Sequence, residues 1–166
     1  MYQRMLELYQ VGLIAIAILV VFIFLAARGW SRRTMTQGDL MEKPFFTDYK
    51  DEGSIGSYVA TTFADRPLER VSAHGLGYPG KARVFVDKSG VQISRTGEKC
   101  FQIRSPFLLG ISRTSAVIDK AVEKDGLLSL RWKLGESEVE SHLRFANAAA
   151  RDLVANDVSA LLRSRN

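Results

Sequence analysis

Residues 11–27 read VGLIAIAILVVFIFLAA, seventeen consecutive positions without a charged or strongly polar side chain. No other feature constrains the chain as much. A bilayer core about 30 Å thick takes about 20 residues of helix, within a range of roughly 17–25. With Tyr9 and Gln10 before the run and Gly29 and Trp30 after it, the segment is long enough to span. A cleaved signal peptide would show a shorter apolar run of about 7–15 residues, a basic start and a small-x-small cleavage site. Here Arg4 is offset by Glu7, and the run ends in Ala26, Ala27 and Arg28. A helix docked on a soluble domain would show an amphipathic face, and this run has none. The run therefore reads as an uncleaved anchor over residues 11–30.

Orientation follows from the basic residues beside the span. Arg28, Arg32, Arg33 and Lys43 follow it and Arg4 precedes it. The positive-inside rule then leaves residues 1–10 outside the cytoplasm and the C-terminal part in the cytoplasm of a single-pass cell-membrane protein. Cys100, the only cysteine, agrees with a reducing compartment. Arg28, Trp30, Arg32 and Arg33 are candidate membrane-surface contacts, since basic residues near an anionic surface contribute about 1 kcal/mol each. The preferred reading of these residues is a plain topology determinant. One span cannot enclose a pore, so a transport role would need partners.

The chain has 166 residues, 46% hydrophobic and 25% charged, which suits one globular domain and excludes wholesale disorder. One cysteine and two histidines supply neither an internal disulfide nor a structural zinc set, and no cofactor or metal is expected. Residues 31–53 are polar, mixed in charge and aperiodic, and read as a tether in which Phe45 and Phe46 are docking points.

From residue 54 on, short alternating runs are punctuated by turn residues. Strands are expected at 54–62, 81–87, 91–95, 99–104, 116–118, 128–134 and 138–145. Residues 108–121 are less regular because Gly110 interrupts them. The last hairpin is the best determined. Gly135-Glu136 suits a type II′ turn, which sets Lys133 opposite Glu138, Arg131 opposite Glu140, Trp132 opposite Val139 and Leu128 opposite Leu143. His142 falls opposite Ser129 on the outward parity and is expected at the surface. Asn147 then offers an N-cap to a helix whose stripe is Ala150, Leu153, Val154, Val158, Leu161 and Leu162.

Seven strands and then a helix is similar to a pleckstrin-homology (PH) barrel. The phrases YVATTFADRPLERVSAHGLGYPG (58–80) and IDKAVEKDGLLSLRWKLGE (118–136) resemble a family of actinobacterial single-pass membrane proteins with a bacterial PH-like domain, often labelled as transporters or export proteins. The resemblance implies an N-terminal transmembrane helix and a mainly-β domain over 54–166, a PH-like seven-stranded barrel or sandwich capped by a C-terminal α-helix. It carries no ligand or active residue with it.

The connection 63–80 is longer than most loops in compact domains, and such loops are usually functional or disordered. It holds Asp65, Arg66, Glu69, Arg70, His74 and Tyr78, a candidate partner-binding set. The competing reading is a structural strap in which Leu68, Val71 and Leu76 pack on the domain while Asp65, Arg66, Glu69 and Arg70 pair locally. Lys81 and Arg83, with Arg66 and Arg70, are the nearest match to a phosphoinositide cluster, but Asp65, Glu69 and Asp87 dilute it. From residue 46 on, 18 Lys/Arg face 15 Asp/Glu, a net of +3 that does not suit nucleic acid.

Nothing in the sequence marks a catalytic site. Cys100 beside Phe101 reads as a small core residue. Glu138 and Glu140 read as a solvated face. The expectation is a membrane-anchored, non-enzymatic interaction module for a protein partner that the sequence does not identify. A transporter or export-complex subunit is the alternative, and an anionic-lipid sensor the third.

Overall fold

The computed structural model describes residues 12–29, 41–114, 116–117, 120–121 and 126–165. They fall into two units, residues 1–36 and 37–166. The first unit contains helix α1, Gly12–Gly29, with a mean hydropathy of 2.5 and every residue exposed within the chain. Trp30, Arg32 and Arg33 lie outside the described residues, as does the expected N-terminal segment 1–10.

The second unit is built from strands β1 (Phe45–Thr47), β2 (Ser54–Phe63), β3 (Gly80–Asp87), β4 (Gly90–Arg95), β5 (Cys100–Arg104), β6 (Leu108–Thr114), β7 (Ala116–Val117), β8 (Lys120–Ala121), β9 (Leu127–Leu134) and β10 (Ser137–Phe145), and then helix α2 (Ala148–Arg163). Eight strands form one antiparallel sheet in the order β1-β5-β4-β3-β2-β10-β9-β6, and β7 and β8 pair separately.

The β9–β10 hairpin has the expected register: Trp132 faces Val139, Leu128 faces Leu143, and Lys133 faces Glu138. Gly135 has φ +61°, as the first residue of a II′ turn requires. Arg131 lies opposite Glu140 but pairs diagonally with Glu138, at 2.7 Å. A diagonal neighbour is within reach of a long side chain.

The sheet is open, which corrects the expectation of a barrel. Between β5 and β6 the chain makes only a three-residue 3₁₀ turn, Ser105–Phe107. That turn makes a corner instead of a hairpin: β5 and β6 do not pair, and β1 and β6 are the two ends of the sheet. Helix α2 packs on β3 and β6, which lie in opposite halves, and on β2 and β10. It buries Val154, Val158 and Leu161, and its Asn147 cap accepts from the Ala150 amide at 2.8 Å. Leu153, expected in the apolar stripe, is exposed.

Two further differences concern edges. Phe45–Thr47, expected in the tether, form β1 on the outer edge of β5, with Phe45 opposite Gln102. Phe46 packs against the core as a docking point should. Leu108–Thr114, where Gly110 obscured the pattern, form β6, with a bulge between Leu108 and Gly110. Tyr58, Phe101 and Trp132 sit at the centre of the core, with ring centroids 6.0 Å apart in each successive pair. The Tyr58 hydroxyl donates to the Leu76 carbonyl at 2.7 Å and contacts Thr61 at 2.6 Å. Burial pushes its pKa well above the ordinary value.

Candidate functional site

The long connection hydrogen-bonds along part of β2. Beyond Tyr58, β2 has no β3 partner, and the connection takes that edge. Thr61 N donates to Leu76 O at 2.9 Å, Val71 N to Thr61 O at 2.8 Å and Phe63 N to Glu69 O at 3.1 Å. Val71, Ala73 and Leu76 are fully buried. This half of the connection is a strap. Leu68, expected to pack, is 79% exposed and forms its tip instead.

The six candidate residues do not converge on one point. Asp65, Arg66 and Glu69 are exposed at one end, where Arg66 pairs with Glu69 at 2.7 Å and Asp65 at 3.4 Å. Asp65 and Arg66 border a hollow of about 360 Å³ shared with Arg131 and Glu138 of the last hairpin. Arg70 is half-buried in a bridge with Thr62, and its buried Nε has no acceptor among the described residues. It forms no ion pair there, contrary to the expected local pairing. At the other end, His74 has a positive φ of 55° and donates from Nε2 to the Met41 carbonyl at 3.2 Å. Positive φ at a non-glycine residue is uncommon and marks a constrained backbone. His74 lines a second hollow, of about 460 Å³, with Lys43, Phe46, Gly75, Glu98 and Lys99. Tyr78 is 40% exposed.

Arg95 fixes this end of the strap. Although charged, it is only 2% exposed, and its guanidinium lies 4.9 Å from the Tyr58 ring and 5.2 Å from the Phe101 ring. Nη1 donates to Gly75 O at 2.8 Å, and Nη2 and Nε donate to Lys99 O at 2.6 and 3.1 Å. The planar fork joins the strap to the β4–β5 turn through backbone carbonyls, a role for which arginine is better shaped than lysine. Nothing in the local sequence distinguished Arg95 from a surface arginine.

The expected basic cluster has a different membership. Lys81 and Arg83 line a hollow of about 620 Å³, where their neighbours are Arg144, Ile55 and Tyr49; Arg66 and Arg70 are not among its residues. Arg144 arrives there because β10 pairs with β2. Asp51 neutralises Arg83 at 2.6 Å.

His142 is not a surface residue. It is opposite Ser129 as expected, yet both are 1% exposed. Its Nδ1 lies 2.7 Å from Ser129 Oγ and its Nε2 2.9 Å from Thr62 Oγ1. Burial lowers its pKa from 6.5 to about 4, so the ring is neutral at physiological pH. Ala60 and Leu127 are buried beside this network, so both faces of the sheet are covered here. The doubled Leu127-Leu128 is the sequence signal for that covering, because alternation marks one buried face and an apolar doublet marks two. The Ser129–His142 contact has a second hydroxyl, Thr62, where a catalytic array would place an orienting carboxylate. Cys100 is buried, as expected. Among the described residues no group of three or more His, Cys, Asp or Glu could hold a metal ion.

Sheet order, corner and C-terminal helix define a PH-like domain. The chain belongs to the bacterial PH domain-like family, whose model matches residues 40–159. No curated protein matches the chain in sequence.

Proposed function

We propose that this protein is a membrane-anchored, non-enzymatic interaction module, held by residues 11–30 with its PH-like domain on the cytoplasmic face and docking a protein partner there. The observation that carries the reading is the pairing of a PH-like domain with α1, a helix long and apolar enough to cross a membrane and covered by nothing in its own unit. PH-like folds serve as interaction modules. The basic residues after the apolar run support the cytoplasmic placement. The exposed half of the long connection, with Asp65, Arg66 and Glu69, is the proposed contact surface: it projects charged side chains from a backbone tied by the Phe63 N to Glu69 O and Val71 N to Thr61 O bonds. The test is in-cell crosslinking of the tagged full-length chain with mass spectrometry of the crosslinked peptides. The reading expects one cytoplasmic protein linked through residues 63–70. Crosslinks confined to residues 1–30, with polytopic membrane proteins, would replace it with a subunit role in a membrane complex.

A further inference from the structure

Exposed arginines in the domain fall into two groups: Arg66, Arg113 and Arg131 pair with carboxylates, whereas others, among them Arg104 at the open seam of the sheet, form no ion pair among the described residues. Lys43, Arg104 and Lys133 line one narrow cleft there, between β1–β5 and the end of β9, and all three are exposed. None has an ion-pair partner among the described residues, although Glu42 also borders the cleft. The same cleft holds two outward phenylalanines, Phe45 at 51% and Phe107 at 39% exposure. The Arg104 guanidinium sits between them, 5.2 Å from one ring centroid and 5.0 Å from the other.

We propose that Lys43, Phe45, Arg104, Phe107 and Lys133 form a patch that seats the domain on the anionic surface of a lipid bilayer. Each part suits that partner. Exposed phenyl rings gain by entering the boundary between headgroups and acyl chains. The cation between them is placed to meet lipid phosphates at that depth. Lysines on either side add the long-range attraction of unpaired positive charge for an anionic surface. The choice of a bilayer over an acidic protein as the occupant rests on the proposed anchoring: 15 residues (30–44) separate Phe45 from a segment apolar enough to span a bilayer. The patch is distinct from the proposed partner surface at 63–70 and does not depend on it.

The test uses the full-length chain added to vesicles of phosphatidylcholine alone or with one quarter phosphatidylglycerol, each doped with a lipid carrying a photoactivatable group near its headgroup. Adducts are located by mass spectrometry. The expected result is adducts on the peptides carrying Phe45 and Phe107, stronger with phosphatidylglycerol and weakened by added salt. Arg104→Gln should lower them about fivefold, the equivalent of about 1 kcal/mol per basic residue. The double variant Phe45→Ser with Phe107→Ser should lower them further, with an unchanged circular-dichroism melt as the folding control. Adducts on residues 12–29 report anchoring separately. The proposal is overturned if the domain peptides carry no adducts in either vesicle, or if Arg104→Gln and the double variant leave them unchanged. Protection of those peptides from hydrogen exchange by poly-L-glutamate, without lipid adducts, overturns it in favour of an acidic protein surface.

Discussion

Acid should weaken this fold through His142 before it acts through any other group with a shifted pKa. The imidazole is buried between Ser129 and Thr62 hydroxyls, a setting that satisfies the neutral ring in either tautomer and offers no counter-charge to the protonated one. Its folded pKa of about 4 lies below the ordinary 6.5. The unfolded chain therefore binds a proton more readily than the folded one between those values. Stability from this group is complete above pH 6.5, falls as pH drops from there and is fully lost once pH passes below about 4. At about 1.4 kcal/mol per pH unit, the loss amounts to about 3 kcal/mol. Asp87, whose carboxylate accepts bonds from Ser89 and Gly90, is held below its ordinary 3.8 and loses its contribution only at lower pH. The assay is urea unfolding of the full-length chain in neutral micelles across pH 7.5 to 4.5, beside His142→Gln, which keeps hydrogen-bonding capacity and does not titrate. The wild type should lose stability more steeply than the variant, and the two curves should converge toward acid. Parallel curves would refute the account of a histidine held neutral by burial.

Other outcomes follow from single contacts. Arg95→Met should cost about 3 kcal/mol in the same unfolding assay, because it strands the Gly75 and Lys99 carbonyls, and Arg95→Lys should recover less than half. Gly90→Ala should cost about 2 kcal/mol or more: its φ is +146° and a Cβ would lie 2.1 Å from Ile103 O, a backbone atom that cannot step aside. Asn147→Ala should cost about 1 kcal/mol by removing the α2 cap, whereas Asn147→Asp should be nearly neutral, both read from the urea midpoint.

What the sequence could show depended on whether a signal was local. The β9–β10 hairpin was legible because its alternation and its turn glycine agree, and a one-residue slip would put Arg131 and Glu138 into the core. β1 was not: Phe45–Thr47 is too short to show a period, and its strand character comes from pairing with β5. Arg144 joins Lys81 and Arg83 only through the β2–β10 pairing, a placement that no window along the chain contains. The same holds for Phe45 and Phe107 around Arg104, which are brought together by sheet order. Val71 and Leu76 marked the strap correctly, while Leu68 misled because apolar character alone does not say which side of a turn faces inward. His142 misled for a related reason: parity along a strand predicts exposure only where one face of the sheet is bare.

Whether the domain is anchored in a membrane, facing the cytoplasm, is tested most directly by fractionating cells that express the chain with a C-terminal tag. Alkaline carbonate extraction and protease treatment of intact cells are applied to the same sample. The account predicts full-length protein, with Met1 still on the chain, in the carbonate-resistant membrane pellet and untouched by external protease. Deleting residues 12–29 should release the domain to the soluble fraction. A soluble product trimmed near residue 27, or a membrane-bound one digested from outside, would contradict it.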